Sequence, residues 1–148
     1  MIMTQDDVLL FKDLCARLPY GVIGQCELDA SYDTSFDTIF QTHKFDAVLY
    51  GLKEDLLFVT PLIEDNDEQT FAEEEVADGV DILDFTPHLF PMSSMTEEEK
   101  SMYEGLMIGT DNISYMLDVV DWLNKNHFDY RGLIDKSLAL DATGLNIY

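Results

Sequence analysis

AVLYGLKEDLLFVT, residues 47–60, is the stretch that decides the fold class. Two β-prone runs, Ala47 to Leu52 and Leu56 to Thr60, flank the polar break Lys53-Glu54-Asp55, which is the pattern of a β-hairpin. Pro61 has no amide hydrogen to donate, so it limits how far the second strand can continue within a sheet. Upstream, Val22 to Leu28 and Phe36 to Thr42 read as further strands, parted by a turn or loop from Asp29 to Asp37 that is rich in Asp, Ser and Thr. Downstream, Val80, Ile82 and Leu83 suggest a short strand. Pro87 and Pro91 bracket Leu89 and Phe90, an apolar stretch expected to lie across the surface.

Helical patterns flank this group of strands. Thr4 and Asp7 have capping-box spacing ahead of Val8, Phe11, Leu14, Cys15 and Leu18, and Pro19-Tyr20-Gly21 stops the run. Thr96 and Glu99 repeat the capping box before a helix whose buried face is expected to be Met102, Tyr103, Leu106 and Met107. A third helix is predicted from near Asp111 or Asn112. It carries a stripe of Ile113, Met116, Leu117, Val120 and Leu123 toward the core, with Asp118 and Asp121 solvated. Asn126 ends it, and Phe128, Tyr130, Leu133, Ile134 and Leu138 fold back onto the core. Segregated strands and helices predict an α+β domain: an N-terminal helix, a small antiparallel sheet (a partly closed barrel being its other form) and C-terminal helices. Residues 1–148 read as one domain, with an acidic loop at 64–79 and a loose tail at 141–148.

Charge is the strongest global signal. Thirty acids against eight bases give −22, and no Lys or Arg lies between Lys53 and Lys100, an interval holding fifteen of the acids. Such a field disfavours direct contact with nucleic acid or an anionic membrane and leaves open a basic protein partner, a cation or simple solubility. No apolar run approaches the ~20 residues that span a bilayer, and the N-terminus lacks a signal-peptide pattern, so a cytoplasmic setting is expected. Cys15 and Cys26 read as small buried hydrophobes in a reducing compartment.

Chemistry is thin. Calcium-loop frames fail: from Asp65 the sixth and twelfth positions are Thr70 and Val76, and from Asp29 they are Thr34 and Phe40. His43, His88 and His127 have no zinc spacing. His127 with Asp129 can be written as an acid–base pair, but a capping histidine after a helix is the plainer reading. Ser93 and Ser94 precede a helix start, and no phosphate loop, nucleophile elbow or dinucleotide motif occurs. No cofactor, metal ligand or catalytic residue is assigned. The candidate interaction surface is Glu64, Asp65, Asp67, Glu68, Glu73, Glu74, Glu75 and Asp78, joined by the possible anchors Trp122, Tyr130 and Arg131. Met92, Met95, Met102 and Met107 read as core filler rather than a peptide groove.

Leu18-Pro19-Tyr20-Gly21, Pro91-Met92-Ser93-Ser94-Met95-Thr96-Glu97-Glu98-Glu99, and the strings Trp122-Leu123-Asn124, His127 to Ile134 and Leu138-Ala139-Leu140 resemble a group of uncharacterised small acidic proteins encoded by gut bacteria and their phages or prophages. The resemblance spans the exit of the first helix and most of the C-terminal half, and leaves out Asp29 to Asp84. It implies an intracellular protein, with a mobile element as a source, and carries over no catalytic residue. The expectation for function is a non-enzymatic interaction module acting through its acidic surface. The alternatives are an inhibitor that mimics nucleic acid and a small enzyme with a site near His127–Arg131. Oligomeric state stays open.

Overall fold

The computed structural model describes residues 3–33, 38–108 and 113–148, with backbone alone at 30–33 and 38–41. These group into two compact units, Met1–Pro87 and His88–Tyr148. The architecture is α+β, with helices at the start of the chain and in its C-terminal part and a mixed sheet that stays open rather than closing into a barrel.

The first unit opens with α1, Gln5–Arg17, started by a reciprocal box in which Asp7 N donates to Thr4 Oγ1 at 3.1 Å and Thr4 N to an Asp7 carboxylate oxygen at 2.9 Å. Its buried face is Asp7, Leu10, Asp13, Leu14 and Arg17, while Val8 is 40% exposed and Cys15 is exposed too. The face expected from Val8, Phe11 and Cys15 is therefore rotated. The reason is a polar pair: Arg17 donates to both carboxylate oxygens of Asp13, at 2.7 and 3.2 Å, and this neutralisation lets two charged side chains be fully buried. Pro19 and Gly21, at φ +66°, then end the helix through a short 3-10 turn at Leu18–Tyr20.

Five strands follow: β1 Ile23–Asp33, β2 Thr38–Lys53, β3 Leu56–Pro61, β4 Val80–Asp81 and β5 Phe85–Pro91. Within the unit they lie in the order β4-β3-β2-β1-β5, all neighbours antiparallel. The hairpin forms as its sequence predicts, turning at Glu54 (φ +59°) with a bulge between Leu49 and Gly51. Two boundaries differ. Asp29–Asp33 continue β1 instead of forming a loop, and the described part of the run expected at Phe36–Thr42, from Thr38 on, is one strand with Ala47–Leu52 through His43–Asp46. Local propensity missed this because cross-strand pairing supplies the partners: Thr42 Oγ1 donates to Asp29 at 3.1 Å, and Lys44 lies 3.8 Å from Glu27. The remainder of the expected loop, 34–37, is outside the described residues. Phe45, Ala47 and Leu49 alternate into the core with Leu57, Val59 and Cys26. Gly24 is needed where it stands, since a Cβ there would sit 2.4 Å from the Phe85 ring.

The segment expected as an acidic loop at 64–79 contains α2, Asn66–Val76. Asp65 caps it, accepting from Asp67 N and Glu68 N at 3.0 Å each. Only Ala72 and Val76 are buried, so the apolar stripe was too sparse to show as a period. Gln69 fastens the helix to the end of β3, donating to Pro61 O at 2.8 Å and accepting from Ile63 N at 3.0 Å. After β4 the expected strand breaks into a 3-10 turn at Ile82–Asp84, capped by Asp81.

In the second unit the end of β5 runs parallel to β6, Phe128–Asp129, and to β7, Leu140–Asp141. Leu89 is fully buried in β5, not laid across the surface. Helices α3, Glu97–Met107, and α4, described from Ile113 to Lys125, form a pair, and the expected start at Asp111 or Asn112 lies outside the described residues. Their core is Val119, Leu123 and Phe128, ringed by Phe90, Met92, Met95, Tyr103, Leu106, Trp122 and Tyr130. The C-terminal segment is held rather than loose. Ala142 is buried with its N–H on Leu89 O at 2.8 Å, and Tyr148 stacks on His127 at 3.6 Å while donating to His88 O at 2.7 Å. Among the described residues, no helix is long and apolar enough to cross a membrane.

Candidate interaction surface

The acidic residues singled out in the sequence fall on and beside α2, and the structure sorts them. Glu64, Asp65, Asp67, Glu68, Glu73, Glu74 and Asp78 are exposed. Glu75 is turned inward, with its Oε2 3.1 Å from His43 Nδ1, and His43 in turn contacts the rings of Phe45 and Phe71. Asp65 is engaged in its cap, and Glu73 accepts from Gln69 at 2.9 Å. Asp67 and Glu68 suit the positive end of the helix dipole, whereas Glu73, Glu74 and Glu75 crowd the negative end, where the helix itself carries no basic residue. Beside this turn lies a surface groove of ≈ 340 Å³, walled by Val59, Val76 and the exposed Tyr50, with Glu73 among its lining residues. Apolar walls ending in a carboxylate fit the stem and head of a lysine or arginine.

Trp122, Tyr130 and Arg131, grouped with those acids by the sequence reading, belong to the second unit and are engaged within it. Trp122 stacks on Phe128 and Tyr103 at 5.6 and 6.4 Å. Tyr130 donates to Asn124 Oδ1 at 2.9 Å, and Arg131 lies over the Tyr130 ring at 5.1 Å with an Nη donating to its hydroxyl at 3.3 Å. Asp129 does not pair with His127. Its two carboxylate oxygens accept from Leu133 N and Ile134 N, both at 2.9 Å, which anchors the turn at Gly132. Asp129 thus contacts the backbone, and Tyr130 contacts Asn124 and Arg131.

The feature that sequence reasoning missed is on α3 and α4. The stripe expected to face the core is largely outside: Ile113 is 75% exposed, Met116 51%, Leu117 59% and Val120 36%, with Met102 and Met107 exposed on α3. These methionines are not core filler. The buried face of α4 is Val119, Leu123 and Asn124 instead. The stripe itself was legible, but which part of it reaches the core depends on where the neighbouring elements lie.

The thiols are dissimilar. Cys26 is buried, and burial, then the charges of Asp84 and Asp46, push it up to about 12. It is inert near neutral pH. Cys15 is exposed and unbridged. Among the described residues, no group of three or more His, Cys, Asp or Glu side chains converges to hold a metal ion. Compared with known protein families, curated proteins and solved structures, the chain matches none.

Proposed function

We propose that the protein is a non-enzymatic interaction module that binds a basic protein through the acidic face of α2. The observation that carries this reading is the last turn of α2. The exposed Glu73 and Glu74 there oppose the helix dipole, and no lysine or arginine occurs anywhere between Lys53 and Lys100. A helix under selection for stability alone would place a cation at that end, and departures from local rules mark functional surfaces. The adjoining groove at Tyr50 and Glu73 offers a seat for one basic side chain of the partner.

The test compares the wild type with a neutralised variant, Glu68→Gln/Glu73→Gln/Glu74→Gln/Asp78→Asn, each immobilised, exposed to host lysate and eluted in salt steps. The expected outcome is one basic protein retained by the wild type and released by moderate salt, with affinity for the variant lower by about 10- to 100-fold. Retention of the same proteins at the same salt by both forms would remove the acidic face from the mechanism.

A further inference from the structure

We propose that the groove between β3 and the last turn of α2 takes a short extended segment of the basic partner, held by one backbone bridge to Val59 and by Glu73. The inference rests on the acidic face of α2 being the binding surface, and it specifies the form the partner takes there.

In an antiparallel sheet both main-chain polar groups of a residue face one side, and successive residues alternate. Two hydrogen bonds fix the phase in β3. Leu62 N donates to Asp46 O at 2.8 Å, so Leu62 and, two residues back, Thr60 face β2. Leu49 N donates to Val22 O at 3.0 Å, so Leu49 faces away from its β3 neighbour Val59. Leu57, Val59 and Pro61 therefore turn their main-chain groups toward the outer edge of the sheet.

Two of these three are accounted for. Leu57 pairs with Val80, and Pro61 has no N–H while its carbonyl accepts from Gln69 Nε2 at 2.8 Å. β4 begins at Val80, opposite Leu57, and so does not reach Val59. Among the described residues, neither the N–H nor the C=O of Val59 finds a hydrogen-bond partner. Val59 is only 4% exposed, and main-chain groups that far from bulk water nearly always have one. The Gln69 bond places α2 along this same edge, so both groups open onto the groove of ≈ 340 Å³ that runs between Val59 and Pro61 on one side and Val76 and Ala77 on the other.

Charge and size select the occupant. Gln69 Nε2 also donates to Glu73 Oε1 at 2.9 Å, which holds that carboxylate beside the groove. The exposed Glu74 and Asp78 follow it, with no lysine or arginine between Lys53 and Lys100. A second copy would set like charges against these. A lysine or arginine can lay its stem on Tyr50 and Val76 and bring its head to Glu73. The volume lies at the small end of ligand pockets, about 300–1,000 Å³, and a single open N–H and C=O form one bridge rather than a ladder.

The probe is a blocked five-residue peptide of serine and valine with one central lysine, titrated into isotope-labelled protein and read by NMR at the Val59 amide. The expected result is a saturable shift there. Glu73→Gln should weaken binding by about threefold, the worth of one exposed ion pair. Ala77→Trp, at an exposed position in the groove wall and checked for fold by circular dichroism, should abolish the shift. Further peptides carry an N-methyl group at each residue in turn. Methylation at one position is expected to cost at least about tenfold, and at its neighbours less than about threefold, because only one peptide N–H points at Val59 O. No shift at millimolar peptide, or an equal loss at every methylated position, overturns the proposal. So does a dimer in sedimentation that Ala77→Trp dissolves, because a second copy then fills the groove. Salt-sensitive retention of a basic protein in the lysate experiment alongside any of these results would remove the bridge alone and leave the acidic face of α2 standing.

Discussion

Asp13 and Arg17 illustrate how much one pair of residues constrains the first helix. Both side chains are fully buried and meet at 2.7 Å, so α1 turns a partly charged stripe inward. Removing one partner deprives the other buried charge of this ion pair. Asp13→Ala is expected to destabilise the protein by about 3–5 kcal/mol, measured by urea denaturation, whereas the paired change Asp13→Leu/Arg17→Met should recover most of that loss. A loss under about 1 kcal/mol for the single variant would mean that Arg17 finds water or another anion. The i, i+4 spacing is visible in the sequence, but its burial is not, because surface ion pairs share that spacing.

At the scale of elements, the 3-10 turn Ile82–Asp84 brings a carboxylate where it is unwelcome. Partial burial, then Asp81, Asp29 and Glu27, raise the pKa of Asp84 above its ordinary value. A carboxylate with a raised folded pKa binds its proton more tightly in the native state. At pH 7, where it is ionised, it therefore weakens the fold. Asp84→Asn is expected to raise stability at pH 7 by less than about 1 kcal/mol, given solvent screening of a half-exposed group. That gain should shrink as pH falls through the raised pKa toward 3.8, because wild type then protonates and loses its handicap. A gain that persists unchanged at acid pH would point to a packing effect of the amide. The same element scale explains α2. Its cap at Asp65 and its contacts at Ala72 and Val76 were present in the sequence, yet seven acids among residues 64–78 that end up exposed masked them.

Across the whole molecule, −22 over 148 residues makes the compact state repel itself. With a Debye length of about 8 Å at physiological ionic strength, added salt should screen this repulsion. The melting temperature is expected to rise between 10 mM and 300 mM sodium chloride, and to rise at millimolar magnesium beyond what ionic strength alone gives. A melting curve indifferent to both would show that the acids are dispersed widely enough not to interact.

The sequence by itself determined the α+β class, the hairpin at 47–60, both capping boxes and the helix stops at Pro19 and Asn126, because each is set by bonds and dihedrals within a few residues. It also determined the acidic field, which is a sum over residues and needs no fold. Tertiary structure alone decided which way each amphipathic surface turned. Asp13 and Arg17 went inside because they found each other, and Asp29–Asp33 stayed extended because β2 ran alongside. Ile113, Met116, Leu117 and Val120 stayed outside because the core ends at Val119 and Leu123. Periodicity says that a face is apolar, and only the position of the neighbouring elements says whether anything covers it.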